Sequence, residues 1–101
     1  MSRILWTEPA EENLGGIRAF IAKDSRRNAN RFVRRIRDRV KQLHRFPESG
    51  SLVPEYEDLH FREIFVGDYR VIYEFDGRDI LIHWVTHGAR RLPSRLGRDW
   101  K

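Results

Sequence analysis

Residues 61–92 read FREIFVGDYRVIYEFDGRDILIHWVTHGARRL, three strand patterns separated by two turn signals. A two-residue loop at Gly67-Asp68 sets a hairpin register in which Val66 faces Tyr69, Phe65 faces Arg70, Ile64 faces Val71 and Glu63 faces Ile72. Because side chains alternate along a strand, Ile64, Val66, Tyr69, Val71 and Tyr73 share one face and are expected in the core. Glu63, Phe65, Arg70, Ile72 and Glu74 fall on the other. The third strand, Ile80 to Thr86, follows the turn Asp76-Gly77-Arg78-Asp79. Continuing the alternation sends Ile80, Ile82 and Trp84 to the core and sets Leu81, His83, Val85 and His87 beside Arg70. The second face is then mixed, basic and titratable.

Upstream, Arg3 to Trp6 reads as a short strand, and Thr7-Glu8-Pro9 supplies a cap-like threonine, an acid and a proline suited to a first helical turn. Leu14, Ile17 and Ile21 recur at helical spacing with Phe20 beside them. Gly15-Gly16 interrupts this helix at roughly 1 kcal/mol per glycine relative to alanine, which close packing against the sheet or the second helix would explain. Asp24-Ser25 marks a stop and a new N-cap. Ala29, Val33, Ile36, Val40 and Leu43 then form one apolar stripe with Phe32 at its edge, and Arg27, Arg31, Arg34, Lys41 and Arg45 lie opposite. A connection this short folds the helices into an antiparallel hairpin. Phe46-Pro47 ends the second helix, and Pro47-Glu48-Ser49-Gly50 reads as a turn into an irregular segment through Leu59.

This order of elements predicts one α+β domain over residues 1–101: an N-terminal strand, an antiparallel helical hairpin, then a three-stranded antiparallel meander, all in one small sheet. Helices on one face leave the other open, yet that face carries Phe61, Phe65, Ile72, Leu81 and Val85. A cover is therefore expected, either the C-terminal segment or another chain.

With 101 residues of which 40% are hydrophobic, the chain can bury one modest core. The absence of cysteine excludes a disulfide framework, a thiolate metal site and a cysteine nucleophile, and is compatible with a cytoplasmic setting. No apolar run approaches a membrane span and no signal-peptide core opens the chain, so no membrane partner is expected. A formal net charge of +5 points to a polyanion or an acidic protein as partner. Between residues 26 and 45, Arg26, Arg27, Arg31, Arg34, Arg35, Arg37, Arg39, Lys41 and Arg45 stand against Asp38 alone. A second cluster, Arg90, Arg91, Arg95, Arg98 and Lys101, ends the sequence. The basic helix face reads most simply as solvated surface. His44 and His83 have no ligand partner at a metal-like spacing, so no metal or other cofactor is expected. Trp6, Trp84 and Trp100 read as core or interface aromatics.

The chain resembles the RelE/ParE superfamily of toxins from bacterial type II toxin-antitoxin modules. The resemblance rests on Arg62-Glu63-Ile64 leading to Tyr69-Arg70-Val71-Ile72-Tyr73, on the Phe46-Pro47-Glu48-Ser49-Gly50 turn, and on His87-Gly88-Ala89-Arg90-Arg91-Leu92-Pro93 after the last strand. It implies a growth-inhibiting toxin whose partners are a cognate antitoxin, in a hetero-oligomer, and a target. RelE-like members cut messenger RNA on the ribosome; ParE-like members poison DNA gyrase. For metal-free RNA cleavage the resemblance implies Arg70 as phosphate ligand, His87 as base or acid and Arg90 as a further cation, with Glu63 the nearby carboxylate. No tyrosine follows Tyr73, where the nucleases usually carry a catalytic one, and residues 51–60 contain three acids. The ending His87-Gly88-Ala89-Arg90 resembles the ParE-type pattern, which favours gyrase over the ribosome; a non-toxic basic binding domain is the third reading. Each candidate also has a plainer role: Arg70 in an ion pair with Glu63 or Glu74, and His87 as a strand terminator. The resemblance further implies an antitoxin whose C-terminal part wraps the toxin, with the Gly15-Gly16 helix and the C-terminal basic segment near that interface.

Overall fold

The computed structural model describes residues 2–57, 60–94 and 96. Strand β1 (Ile4–Trp6) leads into helices α1 (Glu8–Ala22) and α2 (Arg26–Lys41), and a short 3-10 turn (Gln42–His44) follows. Strands β2 (Ser51–Leu52), β3 (Phe61–Val66), β4 (Tyr69–Phe75) and β5 (Ile80–His87) complete the fold. Both helix starts are where the cap signals put them. Thr7 Oγ1 accepts from the Ala10 N–H at 3.3 Å, with Pro9 in the first turn, and Ser25 Oγ accepts from the Asn28 N–H at 3.1 Å.

The sheet order is β1-β5-β4-β3-β2, with β1 parallel to β5 and the remaining pairs antiparallel. It is thus mixed, with five strands. The fifth is β2, inside the segment expected to be irregular: Ser51 lies opposite Glu63 and Leu52 opposite Arg62. Two residues are too few for a periodicity signal. Gly50 lets this strand approach, since a Cβ there would stand 2.6 Å from the Glu63 carbonyl and 2.7 Å from Tyr73 Oη. The Tyr73 hydroxyl donates to the Pro47 carbonyl at 2.8 Å and accepts from the Gly50 N–H at 3.0 Å, so one buried phenol fastens the Pro47–Gly50 turn.

The β3–β4 register has the expected pairs: Glu63 with Ile72, Ile64 with Val71, Phe65 with Arg70 and Val66 with Tyr69. Gly67 supplies the left-handed φ of +57° at the first turn position. The β4–β5 pair departs from expectation. Tyr73 pairs with Ile82 but Ile72 pairs with Trp84, leaving His83 as an extra residue in a β-bulge. An odd insertion inverts the parity of everything beyond it. Val85 therefore joins the core rather than the Arg70 face, Trp84 joins Ile72 rather than the core, and His87 lies opposite Tyr69 while Thr86 lies opposite Arg70. Backbone groups near the bulge find side-chain partners from α1 and its cap: Asn13 Oδ1 accepts from the Val85 N–H at 3.0 Å, and the Thr7 hydroxyl donates to the Ile82 carbonyl at 2.7 Å.

Between the helices and the sheet lies the main core. Leu14 and Ile17 of α1 and Val33, Ile36 and Val40 of α2 pack with Ile64, Val66, Val71, Tyr73, Ile80, Ile82 and Val85. Trp6 sits at its edge with the Arg37 guanidinium 4.9 Å from its ring, while Trp100 lies outside the described residues. A second cluster covers the opposite face. Val53, Phe61, Ile72 and Leu92 are buried there with Tyr56, Trp84 and Leu96 against them, and the Tyr56 hydroxyl donates to the Pro93 carbonyl at 2.7 Å. The cover is the chain itself, from the segment after β2 and the C-terminal segment. The close packing expected at Gly15 and Gly16 is not found: among the described residues no atom outside their own helix backbone lies within 4 Å of a Cβ built at either.

Candidate functional site

Arg70, the first of the sequence-derived candidates, projects from β4 onto the face closed by the chain's own cover. It is 5% exposed. Its Nε donates to Glu63 Oε1 at 2.7 Å, while Nη1 and Nη2 donate to the two oxygens of Glu55 at 2.7 and 2.9 Å. The expected ion pair with Glu63 is present, and Glu55 takes the place considered for Glu74. The hydrogen bonds from Arg70 hold the Glu55 carboxyl below its ordinary value, and those from Glu55 raise Arg70 further above the arginine range. Burial pushes the neighbouring Tyr56 phenol up to about 12. All three guanidinium nitrogens are engaged, and two carboxylates surround one cation. This is an environment that repels a phosphate rather than one that holds it.

Beside this cluster, Glu74 Oε1 lies 2.9 Å from Nε2 of His83, both side chains buried, and the imidazole meets Phe61 edge-on at 5.3 Å between ring centres. His83 is thereby a structural residue, as is His44, whose Nδ1 donates to the Ser2 carbonyl at 2.6 Å. Glu55 escaped the sequence reading. It lies in the acidic stretch 51–60, which stood out only as a poor approach for RNA, and no local pattern marks it as the partner of a residue fifteen positions on.

His87 and Arg90 lie elsewhere. The bulge turns His87 to the helix side of the sheet, where its ring meets Tyr69 edge-on at 5.4 Å. Its Nδ1 accepts from the Ala89 N–H at 3.2 Å and its carbonyl accepts from the Arg90 N–H at 3.0 Å, so His87 closes the strand into a turn. His87 and Arg90 line an open groove of about 580 Å³ between α1 and β5, walled by Gly16, Ile17 and Phe20 on one side and Trp84, Val85 and Thr86 on the other. Phe20 is 65% exposed there. Arg70 and His87 thus stand on opposite faces of the sheet, and only His87 and Arg90 of the three candidates share a site. Of the C-terminal basic cluster, Arg95, Arg98 and Lys101 lie outside the described residues.

Among the described residues no three His, Asp or Glu side chains are arranged to hold a metal ion, and no helix is long and apolar enough to cross a membrane.

No curated protein sequence matches the chain significantly. Its fold is that of a solved structure described as the chromosomal ParDE TA system from P. aeruginosa, with a TM-score of 0.72 and 21% identity over 86% of this chain and 96% of that one. The model of the family described as the ParE toxin of the type II toxin-antitoxin system parDE matches residues 4–92, from β1 to the buried Leu92, and the chain belongs to that family.

Proposed function

We propose that this chain is a growth-inhibiting toxin that poisons DNA gyrase and that a cognate antitoxin silences it by occupying the groove between α1 and β5. One observation carries the choice of target: Arg70 is locked between Glu55 and Glu63 on the face of the sheet opposite His87. Metal-free RNA cleavage needs a cation on the scissile phosphate within reach of the group that moves the proton. Among the described residues Arg70, the cation that the resemblance assigns to the phosphate, is separated from His87 by the sheet, which favours the surfaces of the protein, rather than a catalytic constellation, as the working part.

The antitoxin reading rests on the groove. Gly15 and Gly16 cost the helix stability without serving close packing among the described residues, and Gly16 opens the wall beside the exposed Phe20. A segment with apolar side chains against Phe20 and an acid against Arg90 suits both the shape and the charge.

Purified gyrase provides the direct test. The toxin is expected to inhibit supercoiling and to trap cleaved DNA, and induction in a bacterial host is expected to stop DNA synthesis, read by pulsed labelling, before protein synthesis falls. Early arrest of protein synthesis with cleaved messages would overturn the gyrase assignment. Gly16→Leu, which fills the groove with a better helix former, should leave toxicity intact while weakening neutralisation by the antitoxin.

A further inference from the structure

A second groove, of about 520 Å³, lies on the other flank of the molecule, between α2 and β3. Arg31, Arg34, Arg35 and Arg39 line it from the helix, and Phe65 and Val66 from the strand. Four exposed cations have a partner: Arg3 meets Asp79, Arg37 meets Glu11, Arg62 meets Glu48 and Lys41 meets Asp38. The four groove arginines differ from these in being gathered along one groove. Among the described residues none of them forms an ion pair, although Asp38 also lines the groove and its carboxylate lies 3.8 Å from Lys41 Nζ.

Arg31, Arg35 and Arg39 follow one another every fourth residue, about 6 Å apart along the axis at the helical rise. Like charges at this spacing destabilise an isolated helix. The row therefore opposes folding and receives no ion pair from the described residues. Beside it, Phe65 is 56% exposed, with one edge of its ring toward Gly88. A row of guanidiniums at phosphate-like intervals alongside an uncovered aromatic ring combines the two elements with which proteins hold a single nucleic-acid strand: cations for the backbone and a flat surface for a base.

We infer that the α2–β3 groove binds single-stranded nucleic acid, with Arg31, Arg35 and Arg39 on successive phosphates, Arg34 beside them and Phe65 stacked on a base. A duplex keeps its bases stacked inward and would leave the ring of Phe65 unused. This inference stands apart from the gyrase assignment, since it concerns a different surface and a purified-component assay without gyrase.

The test is fluorescence anisotropy with the full-length chain and labelled oligonucleotides of roughly 12 units, about the site size of a small single-strand binder: oligo(dT), oligo(rU), a DNA duplex and a glutamate-rich peptide. Four phosphate contacts at about 0.7 each predict that single-strand affinity falls about fiftyfold between about 50 and about 200 mM salt. Phe65→Ala should weaken single-strand binding about tenfold and leave duplex binding unchanged. Arg31→Gln/Arg35→Gln/Arg39→Gln should abolish the salt-sensitive binding, whereas Arg18→Gln/Arg26→Gln/Arg78→Gln, which removes the same charge outside the groove, should cost less than about threefold. Whichever of oligo(dT) and oligo(rU) binds more tightly names the sugar, and either result sustains the inference. Three results would overturn it: equal losses from the two triple variants, duplex binding as tight as single-strand binding with no effect of Phe65→Ala, or tighter binding of the acidic peptide than of either strand.

Discussion

The two faces of the sheet are closed in different ways. On the helix side the cover is made of two stripes, Leu14 and Ile17 on α1 and Val33, Ile36 and Val40 on α2, and the fully buried part of the interface is aliphatic apart from the Tyr73 phenol, with Trp6, Phe32, Tyr69 and Phe75 at its margin. On the other side the cover is made of irregular chain, and charged groups are buried beneath it: Glu63, Arg70, Glu74 and His83 beside Ile72 and Phe61. Aliphatic contacts are non-directional, so any one of them can be lost in part. Buried ions are not interchangeable, because each depends on a named partner for its solvation. The helix side should therefore respond to substitution by volume, and the other side by partnership.

The largest effect expected is that of Arg70→Ala, about 4 kcal/mol in urea unfolding, because Glu63 would be left buried without its cation. Removing both charges in Arg70→Ala/Glu63→Ala should give a protein more stable than Arg70→Ala alone, and the reverse order would mean that this face is merely solvated. Ile36→Ala, on the fully buried stripe of α2, should cost about 3 kcal/mol, and no second substitution of a neighbour should restore it except one that refills the volume. Gly50→Ala comes next, at about 2 kcal/mol, since the new methyl would press on the Glu63 carbonyl and the Tyr73 ring; the loss of a Tyr73 near-UV signal would accompany it. The smallest effect concerns acid. Arg70 holds the Glu55 carboxyl below its ordinary value, so the pair contributes stability above about pH 4.5 and loses it as pH falls through the lowered folded value. Glu55 is 44% exposed, so the contribution is below about 1 kcal/mol, and Glu55→Gln should flatten that part of the acid limb of an unfolding curve.

Legibility in the sequence divides along the same line. Helix starts, the apolar stripe of α2 and the whole β3–β4 register were readable because each depends on local chemistry: Thr7 and Ser25 as caps, a 3.6-residue period, Gly67-Asp68 as a turn. The bulge at His83 was not, because nothing in Ile82-His83-Trp84-Val85 marks an extra residue; its backbone is accommodated by Asn13 and Thr7, some seventy positions away. That single residue decided the site, since it separated His87 from Arg70. Likewise the Arg70–Glu63 contact followed from cross-strand position, whereas Glu55 comes from irregular chain whose path no periodicity describes. The glycine pair in α1 was visible as an anomaly, and the open space around it removes the explanation by close packing among the described residues.

Strand β1 has β5 as its one neighbour in the sheet, and Arg3 reaches Asp79 across a sequence separation of 76 residues. Closing a loop of that length costs about 4 kcal/mol in chain entropy, so this pairing is the late, high-contact-order step of folding. On a ribosome the first strand must wait, unpaired, until β5 has emerged. The parallel edge of the sheet is therefore complete only once β5 has been made.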